Sequence, residues 1–428
     1  MLWLYRLLFL PTLILMTPAY VRRMHRRGGY RENFKHRFGA HEVPARRPGV
    51  RRIWLQAVSV GEMLAIGPLL EGLVRQDGCE IYLTTTTSTG YRLANDRYRG
   101  LTIGIGYFPL DWWPFSWRAW RRIQPDFVIL TEGERWPEHM HRAARHGVPV
   151  VCINARLSDR TYRRLRVFSS AARLMFRDIT RLLPCSAQDE ARFRELGVPS
   201  ARMCNTGNIK LDVAIPLLST EEKARLRREL GLGDGLVLLG SSTWPGEEQA
   251  LLEALRQTRE RGVRCSLLIV PRHAERRLEI ERLLQKVKLS FHFRSRGVPP
   301  SEVDVSVGDT TGELRKFAQL ADLVFVGKSL PPHTEGQTPV EAASLEKPII
   351  FGPGMSNFRL IVNDVLERGA ACQVSDAAGL VALVAELMRD SSRREALAAA
   401  ANQWHRDNAG AVARTLAIIR EELVKLKS

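Results

Sequence analysis

The residues of this chain that could do chemistry lie in short stretches at the ends of apolar runs. In Ala57-Val58-Ser59-Val60-Gly61-Glu62 the run Ile53-Trp54-Leu55 leads in, and Met63, Ile66, Leu69, Leu70 and Leu73 follow at helical spacing. The pattern predicts a strand, a tight turn and a helix. Glu62 then stands in the first helical turn, beside unpaired backbone N–H groups and at the carboxyl end of a strand, where open α/β sheets hold their ligands. A carboxylate there has a function available to it. It is equally well explained as an acid that stabilises the helix by ~0.3–1 kcal/mol through the macrodipole.

Four later stretches have anion-binding character. Gly240-Ser241-Ser242-Thr243 precedes a helix led by Glu247, and Pro271-Arg272-His273 is followed one turn on by Arg276. Gly308-Asp309-Thr310-Thr311-Gly312-Glu313-Leu314 joins a strand to a helix. In Gly336-Gln337-Thr338-Pro339-Val340-Glu341-Ala342, Thr338 is expected to cap a helix and Pro339 to take its first position. Helix N-termini preceded by glycine suit phosphate, and an arginine offers a fork for phosphate or carboxylate. Singly such stretches are mostly structural; together, around one sheet, they predict a nucleotide site.

The elements that must position these residues repeat one architecture. Runs at Ile53–Val58, Glu80–Thr85, Leu101–Gly106, Phe127–Thr131, Val148–Asn154 and Arg181–Cys185 alternate with helical patterns. A charged helix over Glu221–Leu230 marks the link to a second series: Leu236–Gly240, Ser266–Val270, Ser290–His292, Val303–Val307, Leu323–Val326, Ile349–Phe351 and Ala370–Gln373. Strand–helix alternation predicts parallel sheets, hence an α/β protein with two Rossmann-like domains. Two such domains facing a cleft are the GT-B arrangement of glycosyltransferases. The expected divisions are an N-terminal anchor and basic flank over 1–27, an N-terminal domain over 28–212, a C-terminal domain over 213–410, and a last helix over 411–428 that crosses back to the first domain.

Composition narrows the partners. The chain has 428 residues, 64 Lys+Arg against 46 Asp+Glu, and a formal charge of +18. That balance suits a polyanion: nucleic acid, an anionic membrane or a phosphorylated substrate. The six cysteines show neither CxxC nor metal-ligand spacing, which points to free thiols in a reducing compartment. Residues 1–21 are apolar apart from Arg6, and Arg22, Arg23, His25, Arg26 and Arg27 follow. The length, ~20 residues, suits a membrane span, whereas Arg6, Pro11 and Pro18 suit a shallow interfacial anchor. Either way, eleven Lys/Arg against two acids between Arg22 and Arg52 place the flank at the cytoplasmic face.

Read together, the stretches resemble the Kdo transferases of Gram-negative lipopolysaccharide synthesis, which move 3-deoxy-D-manno-octulosonic acid (Kdo) from CMP-Kdo onto lipid A. The matching pieces are AVSVGE (57–62), TEGERWP (131–137), VPVVCINARLSDRT (148–161), GNIKLD (207–212), PRHAER (271–276), VGDTTGEL (307–314), EGQTPVEAASL (335–345) and FGPGMSNFR (351–359), with GYRENFKHRFG (29–39) after the anchor. They run in the family's order over nearly the whole chain.

The resemblance implies a GT-B fold, an acceptor-binding first domain and a CMP-sugar-binding second one. Glu62 matches the family's general base, and Glu132 and Glu134 match its acidic pair. Ser59 and Gly61 would lie at the substrate; Asn208 and Lys210 would meet the donor's carboxylate or phosphate. Ser242, Arg272, His273, Gly308, Asp309, Thr310, Gly336, Gln337, Thr338 and Asn357 would hold CMP, and Glu341 would accept from the ribose hydroxyls. The implied partners are CMP-Kdo, a lipid A precursor (lipid IVA) and the anionic cytoplasmic face of the bacterial inner membrane, with no cofactor, no metal and no nucleic acid. Departures from the family pattern include Glu335 and Lys328 in place of glycines, Thr338 in place of Asn, Trp244 in place of His, and Gly133 and Arg135 beside Glu134. Two other classes are a GT-B transferase of another nucleotide sugar, such as a UDP-sugar, and a non-catalytic membrane scaffold or nucleic-acid binder. The intact acids argue against a scaffold, and no nucleic-acid recognition motif is present.

Overall fold

The computed structural model describes residues 1–26, 33–133, 135–213 and 215–426. The chain forms two compact units, Met1–Asp212 with Gly410–Ser428, and Val213–Ala409.

In unit 1 the six apolar runs become β1 (Arg52–Gln56), β2 (Glu80–Thr85), β3 (Gly104–Tyr107), β4 (Phe127–Thr131), β5 (Val150–Ala155) and β6 (Arg181–Pro184). They form one wholly parallel sheet in the order β3-β2-β1-β4-β5-β6. A parallel sheet is covered on both faces, which is why its strands read as continuous apolar runs. Alternation still assigns the faces: Ile53 and Leu55 pack with Ile81, Leu83, Ile129 and Ile153, whereas Trp54 packs with Tyr82, Val128 and Leu130 on the opposite side. β1 and β4 are neighbours, Gln56 opposite Leu130. From them the chain winds outward in opposite directions, so their carboxyl ends flank the topological switch point.

Two helices at the chain's ends belong to this unit. The first, α1 (Leu2–Arg26), is tied down by the Tyr5 hydroxyl, which donates to Asp111 at 2.6 Å, and by an ion pair between Arg6 and Glu138 at 2.8 Å. It leaves Trp3, Leu4, Leu7, Leu8, Ile14 and Leu15 exposed. No helix among the described residues is long and apolar enough to cross a membrane. Tyr5 and Arg6 interrupt the apolar run and serve as contacts to the rest of the unit. The last helix, α6 (Ala411–Lys425), buries Val412, Leu416, Ile419 and Leu423 in the core that contains Ile53. Its N-terminus is capped by Asp212, whose carboxylate accepts from the N–H of Gly410 at 3.1 Å and Val412 at 2.7 Å. Between these lie α2 (Val60–Ala65) and α3 (Pro137–Arg145).

Unit 2 contains β7 (Leu236–Thr243), β8 (Cys265–Pro271), β9 (Phe291–Phe293), β10 (Val305–Val307), β11 (Leu323–Val326), β12 (Ile349–Phe351) and β13 (Cys372–Gln373). All are parallel, in the order β13-β12-β11-β7-β8-β10-β9. β7 outruns its expected end at Gly240 because it is central and paired on both sides. Its core joins Leu238, Leu267, Ile269 and Phe325 to Leu251 and Leu255 of α4 (Glu247–Glu260). The switch point falls between β7 and β11.

Candidate active site

At the switch point of unit 1, Ser59 caps α2: its hydroxyl oxygen accepts from the N–H of Glu62 at 3.3 Å and its hydroxyl donates to Glu62 Oε1 at 2.9 Å. Glu62 Oε2 accepts from the N–H of Val58 at 3.0 Å, completing a variant of the capping box. A further bond comes from outside the helix. Thr131, the last residue of β4, donates its hydroxyl to Glu62 Oε2 at 2.5 Å. The carboxylate is buried, while Val60, Gly61 and Leu64 around it are exposed.

The next residue along, Glu132, has φ +48, and Asn154 near the end of β5 has φ +50. The left-handed region is uncommon for a glutamate and easier for asparagine. The two are linked: Asn154 Nδ2 reaches Glu132 Oε1 at 3.4 Å, and Asn154 Oδ1 accepts from the N–H of Ile209 at 3.1 Å. Lys210 adds an ion pair to Glu132 Oε1 at 2.5 Å, and its side chain lies 4.0 Å from where a Cβ on Gly61 would be. Asn208 holds the turn, its Oδ1 accepting from the N–H of Lys210 at 3.0 Å. Buried Arg135 donates to the Glu132 carbonyl at 2.5 Å and packs over the rings of Phe176 and Phe193. Thus Ser59, Gly61, Glu62, Glu132, Asn208 and Lys210 gather at one sheet edge. Glu134 lies outside the described residues.

In unit 2 the expected nucleotide residues lie at the carboxyl ends of adjacent strands. Ser242, with φ +56, follows the pairing of β7 with β11; Arg272 and His273 follow β8 and are exposed; Gly308, Asp309 and Thr310 follow β10. Several have partners of their own. Asp309 accepts from the N–H and hydroxyl of Ser295 at 2.9 and 2.6 Å, Thr310 donates to Glu313 at 2.5 Å, and Glu341 pairs with Arg315 at 2.8 Å. Gly336 is needed as glycine: φ is +67, and a Cβ would stand 2.3 Å from Met355 Sδ. The helix after it, α5 (Val340–Ser344), corrects one expectation, because Pro339 is its N-cap rather than its first residue. Thr338 still helps, accepting from the N–H of Val340 at 3.3 Å. Gln337 lies in the loop before α5, and exposed Asn357 lies in a 3-10 turn, Ser356–Phe358, after β12. Among the described residues, no group of three His, Cys, Asp or Glu could hold a metal ion.

Three further residues at these strand ends and helix starts carry no candidate role in the sequence. Thr131 and Asn154 were legible only as members of longer motifs, TEGERWP and VPVVCINARLSDRT, and not as partners of the acids. Glu247 looked like a helix-leading acid, yet it is buried and accepts from the backbone N–H of Trp244, Lys328, Ser329 and Leu330. Burial raises its carboxyl above the usual range, against the pull of those four donors. Its partners lie 81 to 83 residues away for the last three, so no local signal marks it.

Comparison with known proteins bears on this arrangement. The 3-deoxy-D-manno-octulosonic-acid transferase (kdotransferase) family model matches residues 32–213. A 3-deoxy-D-manno-octulosonic acid transferase of Bordetella pertussis is 33% identical over 414 residues, 94% of this chain and 95% of its own. Another from Haemophilus influenzae is 32% identical over 429 residues, 97% of this chain and 95% of its own. A glycosyltransferase from Rickettsia africae shares the fold alone, with 10% identity and a TM-score of 0.55 over 89% of this chain and 99% of that one. Matched at such identity over nearly its whole length, the chain belongs to the 3-deoxy-D-manno-octulosonic acid transferase family and is a glycosyltransferase.

Proposed function

We propose that the protein transfers Kdo, with inversion, from CMP-Kdo to the lipid A precursor lipid IVA in lipopolysaccharide core biosynthesis, and that Glu62 is the general base. The carrying observation is the bond from Thr131 to Glu62 at 2.5 Å. A helix cap needs only Ser59. The added donor from β4 aims the carboxylate at the sheet edge, and three donors leave one of about four lone-pair directions for an acceptor hydroxyl. Single displacement needs such a base as the hydroxyl attacks the anomeric carbon, and positive charge on the departing CMP.

Arg272 and His273 supply contacts for CMP, so the reaction as proposed runs without a metal. Asn208 and Lys210 serve the donor's anionic groups, and Glu132 with Glu134 shapes the acceptor side. Exposed Val60 and Leu64 beside Glu62 suit an amphiphilic acceptor. The exposed apolar residues of α1, with Arg22 and the basic flank, suit the anionic cytoplasmic face of the inner membrane. The test is transfer from CMP-Kdo to a tetra-acylated lipid A precursor in detergent, read by mass. Kdo addition that vanishes in Glu62→Ala while CMP binding survives is expected. A folded wild type that binds CMP but transfers nothing overturns the donor–acceptor pair.

A further inference from the structure

The switch point of unit 2 carries an arrangement that the roles above do not use. β7 and β11 lie side by side, Ser241 opposite Val326, and continue as Ser242-Thr243-Trp244 and Gly327-Lys328-Ser329. Phosphates at such a crevice are commonly cradled by backbone N–H groups. Here the protein's own carboxylate takes them: Glu247 accepts from Trp244 at 2.9 Å, Lys328 at 2.8 Å, Ser329 at 2.8 Å and Leu330 at 3.1 Å. An anion bound beside that carboxylate therefore needs positive charge from a side chain.

One side chain is built to supply it. Lys328 has φ +59, a left-handed conformation that a side-chain-bearing residue rarely adopts. Its ammonium lies 4.2 Å from the centre of the Trp244 ring, close enough for cation–π attraction. The side chain is 19% exposed, and its ion partner Glu335, at 3.4 Å, is 46% exposed. Trp244 also packs edge-on against His273 at 5.4 Å, so one ring connects the ends of β7, β8 and β11. The indole Nε1–H is buried without an acceptor among the described residues, a pattern that calls for a further partner.

We propose that Lys328, seated on the Trp244 ring, binds the phosphate of the donor nucleotide. The donor's phosphodiester carries one negative charge and the phosphate of released CMP about two; either competes for Lys328 with Glu335, whose exposed carboxylate makes only a weak ion pair. The proposal rests on the sugar-nucleotide reading of unit 2 and adds to it a residue that positions the phosphate.

The experiment measures binding of CMP and of cytidine, by calorimetry, to full-length wild type, Lys328→Met, Trp244→Ala and Trp244→Phe. Lys328→Met is expected to lose about tenfold in CMP affinity, the scale of one charged contact, and to hold cytidine as wild type does. Trp244→Ala should lose part of the same increment and Trp244→Phe should keep most of it. Equal losses for CMP and cytidine would mean that the loop has merely been disturbed; that result, or no loss at all, overturns the proposal. Repeating the pair with UMP and uridine separates the two readings. A wild type that prefers uridine nucleotides removes the CMP donor, while a phosphate increment lost in Lys328→Met on either base still supports Lys328.

Discussion

At the scale of single residues, the question is what separates a helix-capping glutamate from a catalytic one. Ser59, Val58 and Glu62 would form their hydrogen bonds in an isolated helix start; Thr131 would not, because it arrives from β4. Removing its hydroxyl without changing shape should thus touch chemistry more than folding. A hydrogen bond to a charged group contributes about 1.5–3 kcal/mol, and a tenfold rate change corresponds to about 1.4 kcal/mol. Thr131→Val is expected to slow single-turnover transfer tenfold or more with CMP affinity unchanged. An unchanged rate would reduce Thr131 to a packing residue. Glu132 makes a related point, since a strained left-handed glutamate costs about 1–3 kcal/mol. The bonds from Asn154, Lys210 and Arg135 hold it there.

At the scale of elements, the attachment of α1 depends on a buried carboxylate. Asp111 accepts from the N–H of Glu138 at 3.0 Å and His139 at 2.9 Å, capping α3, and from the Tyr5 hydroxyl at 2.6 Å. Burial pushes its carboxyl from 3.8 up to about 7, although these three bonds oppose the rise. Between those values the native chain keeps a proton that the unfolded chain has released, so this group's contribution to stability falls as pH rises through that window. Asp111→Asn removes the titration. Calorimetric melts between about pH 4 and about pH 7.5 should show wild type losing stability relative to the variant as pH rises; parallel curves would contradict the assignment.

At the scale of the whole molecule, the chain passes between its units twice, at Asp212–Val213 and at Ala409–Gly410. Unit 2 is continuous and has its own core, so a fragment of residues 213–409 is expected to fold cooperatively and to show a CMP-induced melting shift. Unit 1 depends on the returning α6. Deleting residues 410–428 uncovers a face that Leu416, Ile419 and Leu423 help to cover. At about 1.5–3 kcal/mol for each large side chain, that loss competes with the whole stability of a domain, about 5–15 kcal/mol. The truncated chain should therefore melt with unit 2 intact and unit 1 lost, as read by circular dichroism and limited proteolysis. A single native-like transition would argue against this dependence.

The sequence by itself determined which segments are strands and that they are parallel. Buried strands such as Phe127–Thr131 announce themselves through local apolar runs, and the helices between them force the direction of return. It determined Glu62 and Arg272 as candidates too, because a turn between strand and helix is a local pattern. Only the tertiary structure decided the strand order, hence the two switch points, because pairing of β1 with β4 or β7 with β11 depends on contacts far apart in the chain. That order brought Thr131 to Glu62, Lys210 to Glu132, and the backbone of residues 328–330 to Glu247. It also showed how the apolar N-terminal helix is tied to unit 1 by Tyr5 and Arg6, since a polar side chain's partner cannot be read from the residues beside it.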